Sequence, residues 1–355
     1  MSRKSILFVS GSMLRGGAQR VISILANDYA ASGWDVRVAL LIENKIEYEL
    51  NDSIEIHDIT HKGNRLKNFS KWVNELKAVI NSIKPDVIVS FAGRINVITL
   101  LANRGTGIPV LVSERNDPAH DRRSDFEMWL CKKLYQKADR VVFQTKYQAS
   151  FYEKWCKDNS VIIGNPISAP VYEGEHENKD IICVGKLMDQ KNHPMMIKAF
   201  AKIASEFPDK QVYIYGDGKK RAELEQLISD CDMTSRIHLM GNTPEIFSIM
   251  QKNEFFVMCS DYEGLSNALL EAMMSGMVCV TTNWNGADEY VTDGVNGYLV
   301  PVNDSDALAA KLAEVLRADN SEVRANAIAT AKKCTADRVL SDWRAAINEL
   351  IKEKN

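Results

Sequence analysis

The stretch SILFVSGSMLRGGAQRVISILANDYAASGWDVRVALLI (residues 5–42) decides the fold. It opens with a largely apolar run, Ser5 to Ser10, that stops at Gly11. From Ala18 the spacing turns helical, with Val21, Ile22, Leu25 and Tyr29 on one side and Gly33 at the end. Asp35 to Ile42 is apolar again. Strand, helix and strand in so short a stretch make a βαβ unit, whose two strands run parallel.

The same alternation continues outward. Asp86 to Phe91, Val110 to Ser113 and Arg140 to Gln144 have the near-continuous apolar character of parallel strands covered on both faces. Ser124 and Glu127 form a capping box that opens a helix through Gln136. After Gly164-Asn165-Pro166, the polar stretch Glu173 to Asp180 reads as an interdomain linker. A second series of strands follows at Ile181 to Val184, Gln211 to Tyr215, Ile237 to Met240, Phe255 to Cys259 and Val278 to Thr281. Two such series predict two doubly wound α/β domains, in which ligands bind outside the carboxyl ends of the strands. Thr335 to Lys352 closes the chain as an amphipathic helix whose stripe (Leu340, Trp343, Ile347, Leu350 and Ile351) requires a surface to pack on.

The 355 residues, 45% hydrophobic and 26% charged, fit about two globular domains and exclude collagen-like, mucin-like and wholly disordered classes. No stretch approaches the ~18 apolar residues of a membrane span, and Ile6 to Val9 is too short for a signal-peptide core. Seven cysteines without a CxxC predict buried thiols in a reducing cytoplasm. The net charge of −3 divides unevenly: residues 1–165 carry 24 Lys+Arg against 18 Asp+Glu, and residues 166–355 carry 20 against 29. A basic half and an acidic half suggest units with different partners, compositional drift being the plain alternative.

Three post-strand loops carry the candidate chemistry. In GSMLRGGAQR (11–20), Gly16 and Gly17 precede a helix, so backbone N–H groups can approach an anion, although a tight strand–helix connection also explains them. The loop is neither a P-loop nor a GxGxxG fingerprint, which weighs against NTPase and dehydrogenase readings. In VGKLMDQKNH (184–193), Lys186 and Lys191 match a diphosphate; the alternative is a pair of solvated lysines. Each charge-assisted hydrogen bond of this kind contributes roughly 1.5–3 kcal/mol. In DYEGLSNALLEAMMSG (261–276), Ser266 caps a helix beginning near Asn267, and the amides of Gly264, Leu265 and Ser266 can face a phosphate. Glu271 can accept two hydrogen bonds from a vicinal diol such as ribose. Glu263 can orient a sugar or stabilise positive charge at its anomeric carbon. Ordinary ion pairing is the alternative for both glutamates.

With NGADEYVTDGVNGYLVPVND (285–304), the second and third loops resemble the retaining glycosyltransferases of the GT-B fold, family 4. Members show a GR…QKN loop, an E-x7-E motif within EGFPNxLLEAMACGxPV, and a downstream E-x-I-x-D-G-x-N-G-x-L-V segment. The chain has GKLMDQKN, Glu263-x7-Glu271 and Glu289 to Val300, and its GGAQR is similar to the family's GGAER helix start. The resemblance spans nearly the whole chain. It implies an α/β fold of two Rossmann-like doubly wound domains facing across a cleft. Residues 1–165 would bind the acceptor, 166–335 the nucleotide-sugar, and a helix at 336–355 would cross back onto the N-terminal domain.

The resemblance also implies roles. Lys186 and Lys191 bind the donor diphosphate, and Glu271 holds the ribose hydroxyls. Glu263, with the amides of Gly264, Leu265 and Ser266, meets the donor sugar and phosphate. Gly16 and Gly17 belong to a loop that closes over the phosphates. Lys186 stands where the family usually has Arg, so a bidentate phosphate contact becomes a point charge. Many members carry a histidine near the reacting sugar. The matching segment here, SERNDP (113–118), offers Arg115, with His120 nearby, and the spacing favours Arg115 as phosphate support or acceptor anchor. No metal or other cofactor is expected: Asp304-Ser305-Asp306 reads as a helix cap and Asp230-Cys231-Asp232 as a solvated turn.

The expected activity is retaining transfer of a hexose or N-acetylhexosamine from a UDP-linked donor to a polyprenyl-diphosphate-linked sugar or other glycan acceptor. The setting would be surface polysaccharide or glycan assembly on the cytoplasmic face of the plasma membrane, with no nucleic-acid partner. A UDP-sugar epimerase of similar build and a non-catalytic nucleotide-sugar-binding protein are the alternatives. Two basic segments can lie on an anionic membrane: Arg65 to Lys77, with Leu66, Phe69 and Trp72, and Arg122 to Arg140. The second sets Phe126, Trp129, Leu130 and Leu134 beside Lys132, Lys133 and Lys137. For both, an ordinary helix with its apolar face in the core is the alternative.

Overall fold

The N-terminal stretch folds as its spacing predicts. Strands β1 (Ser5–Ser10) and β2 (Asp35–Leu40) are joined by helix α1 (Gly17–Ala31) and run parallel, with Ser5 opposite Asp35 and Ser10 opposite Leu40. The computed structural model describes residues 3–61, 63, 65–121, 123–156 and 158–353, without the side chains of 65–67 and 353. The chain forms two units: Met1–Pro166 with Ala336–Asn355, and Ile167–Thr335.

In the first unit the chain continues through β3 (Glu55–Asp58), α2 (Arg65–Ile83), β4 (Val87–Phe91), α3 (Gly93–Ala102) and β5 (Val110–Ser113). It then passes through α4 (Asp125–Tyr135), β6 (Arg140–Phe143), α5 (Lys146–Cys156) and β7 (Ser160–Ile162). The seven-stranded parallel sheet has the order β3-β2-β1-β4-β5-β6-β7, so its winding reverses between β1 and β4. Successive residues of a strand point to opposite faces. Accordingly Ile6 and Phe8 enter a core shared with α1, while Leu7 and Val9 enter one shared with α2 to α5. Helices cover both faces, which is why β1 is apolar between its terminal serines and β4 is apolar but for Ser90.

The second unit contains β8 (Asn178–Val184), α6 (His193–Ile203), β9 (Val212–Tyr215), α7 (Arg221–Asp230), β10 (Ile237–Gly241) and α8 (Ile246–Lys252). There follow β11 (Asn253–Met258), α9 (Asn267–Met274), β12 (Val278–Thr282), β13 (Tyr298–Val300), α10 (Ser305–Val315) and α11 (Ser321–Ala331). The six-stranded sheet runs β10-β9-β8-β11-β12-β13 and reverses between β8 and β11. The last helix, α12 (Ala336–Glu353), belongs to the first unit. Its stripe found the surface it required: Trp343 is fully buried and stacks on Phe91 at 5.6 Å, and Arg344 Nε donates to Asp28 at 2.9 Å.

Two expectations need correction. Glu173 to Asp180 is not a linker, because the units divide after Pro166 and Asn178 already opens β8. The two ring nitrogens of His176 lie 2.8 and 2.9 Å from the carbonyls of Gln251 and Gly276, and Arg324 donates to the carbonyls of Gly276 and Gly174. The stretch is polar because it lies at the surface, yet its backbone is tied down. The membrane reading of α2 also fails: Trp72 is buried and Phe69 packs against the same core, so the aromatic face is interior. The side chains of Arg65 and Leu66 lie outside the described residues, as does Arg122.

Replacing Trp343 by Ala should destabilise the first unit by about 3–5 kcal/mol, the usual cost of emptying a large aromatic site. Hydrogen exchange resolved by peptide should show the loss in β1, β4 and α12; unchanged protection there would contradict this packing.

Candidate functional site

Strands β8 and β11 are neighbours at the reversal point of the smaller sheet, so the loops after them emerge side by side. The first loop closes in a single turn at Asp189–Lys191, and Asn192, at φ 42°, leads into α6. A Cβ on Gly185 would lie 3.3–3.4 Å from the methylenes of Lys191, so the bare Cα makes room for that side chain. Its ammonium is paired with the carboxylate of Glu263 on the second loop. Ser260 Oγ donates to the same carboxylate oxygen at 2.6 Å, and the Ser260 carbonyl accepts from Thr282 Oγ1 at 2.6 Å. Gln190 Nε2 donates to the Tyr262 carbonyl at 2.8 Å, and the Asp261 amide donates to the Gln190 carbonyl at 2.9 Å. The loops are therefore stitched together on either side of the ion pair.

Glu263 is buried, as are Leu265 and Ser266, while Gly264 is half-buried. Ser266 Oγ accepts from the Leu269 amide at 3.3 Å and caps α9, which begins at Asn267 as read from the sequence. Glu271, in the second turn of α9, is a buried carboxylate between Leu270 and Ala272. Lys186 is exposed on the first loop. The structure thus brings Lys186, Lys191, Glu263 to Ser266 and Glu271 to one end of one sheet.

Sequence reasoning missed Ser260, Gln190 and the pair Gly216 and Gly218. A Cβ at Gly216, where φ is 137°, would meet the Gly185 carbonyl at 2.0 Å, and one at Gly218 would meet the Leu187 carbonyl at 2.4 Å. Only glycine lets the loop after β9 support the Lys191 loop at this distance. The Gly-Asp-Gly after a strand was the available signal.

The first unit treats its expected residues differently. Gly16 opens α1, but its N–H donates to the Tyr48 hydroxyl at 3.1 Å, and the Arg15 N–H donates to Glu47 at 2.9 Å. Those two amides are thereby already engaged, and Gly17 follows as the first helical residue. Arg115 is buried, with its guanidinium 5.1 Å from the Phe91 ring and 5.4 Å from the Trp343 ring. Its Nη1 donates to Asn165 at 2.9 Å. His120 pairs with Asp117 at 2.7 Å. Among the described residues no cluster of three or more His, Cys, Asp or Glu side chains is arranged to hold a metal. Asp304 caps α10 by accepting from the Asp306 and Ala307 amides, and Asp232, at φ 57°, sits in the turn after α7.

The comparisons with known proteins accord with this geometry. A family model described as Glycosyltransferase Family 4 matches residues 15–169, and one described as Glycosyl transferases group 1 matches residues 169–334. Anabaena HepE in complex with UDP and glucose superposes with a TM-score of 0.83 at 19% identity, covering 97% of this chain and 99% of that one. The fold is the two-domain GT-B fold of glycosyltransferases. The chain belongs to glycosyltransferase family 4. A Campylobacter jejuni enzyme named as the alpha-1,4-N-acetyl-D-galactosaminyltransferase of GalNAc-alpha-(1->4)-GalNAc-alpha-(1->3)-diNAcBac-PP-undecaprenol is 24% identical over 97% of this chain and 98% of its own length. A second, the N-acetylgalactosamine-N,N'-diacetylbacillosaminyl-diphospho-undecaprenol 4-alpha-N-acetylgalactosaminyltransferase of the same organism, is 27% identical over 87% of this chain and 89% of its own.

Burial pushes the imidazole of His193, at the start of α6 behind the Lys191 loop, down to about 4, and the Lys191 ammonium adds to the shift. The unfolded chain, with an ordinary imidazole near 6.5, takes up this proton first. The contribution of neutral His193 is therefore whole above about pH 6.5 and is lost as the pH falls toward 4. Between about pH 7 and pH 4.5 the parent should lose about 2–3 kcal/mol more stability than His193→Gln in urea unfolding. Parallel pH profiles would contradict a buried neutral imidazole.

Proposed function

We propose that this glycosyltransferase moves a hexose or N-acetylhexosamine from a UDP-linked donor to a lipid-linked glycan, with retention at the anomeric carbon. The observation that carries the donor side is the pair of half-buried Lys191 with buried Glu263, held by Ser260 at the reversal point of the smaller sheet. Lys191 and Lys186 meet the donor diphosphate, and the amides of Gly264, Leu265 and Ser266 lie at the capped start of α9. Glu271 accepts from the ribose hydroxyls. In this reading the bond from the anomeric carbon to the phosphate oxygen breaks on the face where the acceptor oxygen bonds. The acceptor proton passes to the leaving phosphate oxygen, and the lysines take up the charge left on UDP. Glu263 stabilises the positive charge that develops on the sugar. The two ammonium groups supply the neutralisation, so no metal is required. Arg115, enclosed by Phe91 and Trp343, is assigned to holding the wall formed by β4 and α12.

Two supports bear on the substrates. HepE is described with UDP and glucose, and both Campylobacter relatives are named for undecaprenol-linked acceptors. For attachment to the inner face of a membrane, α4 supplies the surface. Phe126 and Trp129 are 67% and 52% exposed and stack on each other at 5.9 Å. Lys133 and Lys137, both exposed, follow Trp129 at four-residue intervals. Aromatic rings beside lysines suit the interface of an anionic bilayer. Among the described residues no helix is long and apolar enough to cross one.

Lys191→Ala and Glu263→Gln should each slow UDP release from the accepted UDP-sugar by roughly 100-fold, the scale of losing one group that stabilises transition-state charge. Proton NMR of the product should show the donor's anomeric configuration. Release at the parental rate, or an inverted product, would sink the assignment. On vesicles containing phosphatidylglycerol, the double variant Phe126→Ser with Trp129→Ser should bind at least about tenfold more weakly than the parent. Equal binding would remove α4 from the membrane contact.

A further inference from the structure

The crevice of about 510 Å³ at the carboxyl ends of β1 and β4, beside Ala92, has two arginines on its wall, and both are neutralised. Arg94 Nε donates to Glu127 at 2.9 Å, and Arg123 Nη2 lies 2.9 Å from Glu114 and 2.7 Å from Asp121. Other arginines of this unit are paired as well, Arg37 with Asp35 and Glu55, and Arg344 with Asp28.

The opposite end of the same sheet differs. A cavity of about 290 Å³ lies at the amino ends of β5 and β6, and two cations, Arg104 and Lys137, reach its rim. Both are exposed, and among the described residues no carboxylate pairs with either. Asp139 also lines the cavity, but its Oδ2 accepts from the Val110 amide at 2.8 Å. Behind the cations the wall is aliphatic. Leu100 and Leu101 come from the last turn of α3, Ile108 from the loop that follows, and Leu134 from the last turn of α4, all half-buried. That loop is held firmly. Asn103 Nδ2 donates to the Ile108 carbonyl at 2.7 Å, the Ile108 amide donates to Thr106 Oγ1 at 3.2 Å, and Lys77 Nζ, on α2, donates to the Arg104 carbonyl at 3.1 Å. Gly105 and Gly107 take φ 84° and 76°, the left-handed region that so tight a course requires. The cavity's shape is thus set by the chain's own bonds.

Its place selects the occupant. In doubly wound sheets the reacting ligands sit outside the carboxyl ends of the strands, so a molecule at the amino ends is not one that reacts. Lys137, just past α4, ends the outward side of that helix, on which Phe126, Trp129 and Lys133 precede it; the line from Phe126 to Lys137 covers about 17 Å at 1.5 Å per residue. A soluble anion would leave the aliphatic wall unused, and an uncharged apolar molecule would leave the two cations without a partner. An anionic head joined to a hydrocarbon chain matches both, and the outward side of α4 that leads to the cavity suits an anionic bilayer.

We infer that the cavity is a discrete site for one anionic phospholipid, its phosphate between Arg104 and Lys137 and the first methylenes of one chain against Leu100, Leu101, Ile108 and Leu134. At this volume, near the lower bound of about 300 Å³ for small-molecule sites, the rest of the lipid stays in the bilayer. The inference rests on the membrane reading of α4 and adds to it a stoichiometric lipid that takes no part in the transfer.

Calorimetric titration of the full chain with dihexanoylphosphatidylglycerol, short enough to stay monomeric, tests the site. The lipid should bind one to one and shift the methyl resonances of Leu100, Leu101, Ile108 and Leu134. Glycerol 3-phosphate, a head without chains, and dihexanoylphosphatidylcholine, the chains without net charge, should each bind at least about tenfold more weakly. The double variant Arg104→Glu with Lys137→Glu, both at exposed positions, should bind the anionic lipid at least about tenfold more weakly than the parent. Absence of saturable binding, equal binding of glycerol 3-phosphate or of the choline lipid, methyl shifts confined to other residues, or parental affinity in the double variant would overturn the inference. The variant Phe126→Ser with Trp129→Ser keeps the two readings apart. Saturable binding of the short lipid, with undiminished vesicle binding by that variant, rejects only the membrane contact of α4. Lost vesicle binding by that variant, with no saturable binding of the short lipid to the parent, rejects only the cavity site.

Discussion

A parallel sheet buried on both faces has no free face on which to carry chemistry. Both units obey that constraint: the alternating residues of β1 fill two separate cores, and the strands of the smaller sheet do the same. Function is pushed to the ends of the strands, and the one place where neighbouring loops diverge is the reversal of winding. In the second unit that place holds Lys191 and Glu263. In the first it holds the crevice beside Ala92.

Within the second unit, the ion pair is costly to desolvate and is stable only because its surroundings complete it. Ser260 satisfies the buried carboxylate oxygen, Gln190 and Asp261 hold the two loops at a fixed separation, and Gly185 admits the lysine stem. The Gly216 to Gly218 backbone then supports the Lys191 loop from beneath. The pair holds each charged group in place, which limits the reorganisation that the proposed diphosphate contact would require. Four strand ends cooperate in this, those of β8, β9, β11 and β12, and apart from Ser260 on Glu263 and Gly185 beside Lys191 the supporting contacts join residues far apart in sequence.

That locality separates what could be read from what could not. Central strands were legible because burial on both faces imposes a continuous apolar run. The edge strands β3, β7 and β13 were not, since β7 and β13 have only three residues and Glu55 to Asp58 is polar and partly exposed. Lys191, Glu263 and Ser266 were visible as charged or capping residues in post-strand loops. Gln190 was not, because the fold supplies its partner Tyr262, and Ser260, three residues before Glu263, is an uncharged residue at a strand end that no pattern marks. The two aromatic helices illustrate a subtler failure. In α2, Trp72 continues through Leu76 to Ile80 at four-residue intervals, all buried, so it belonged to the core stripe. In α4 the buried stripe runs through Cys131 and Tyr135, and Phe126 and Trp129 stand off it. Following the stripe, and not the composition, would have told the two apart.

The charge imbalance is the last feature to find a physical place. The closing segment, residues 336–355, carries four charges of each sign, so the unit that includes it keeps +6 and the other keeps −9. Neither number describes a site. In the second unit, carboxylates such as Glu175, Glu223 and Asp306 are exposed, where salt screens them beyond about 8 Å, while Lys191 is set against Glu263 in a less screened pocket. In the first unit, Arg94 and Arg123 are neutralised at the crevice, so its basic surplus lies elsewhere, with Lys133 and Lys137 on the exposed side of α4. Net charge governs what each outer surface attracts, and the buried pairs govern what each crevice accepts. A positively charged unit can therefore keep its arginines neutralised at a strand-end crevice while its basic surplus stands on its outer surface.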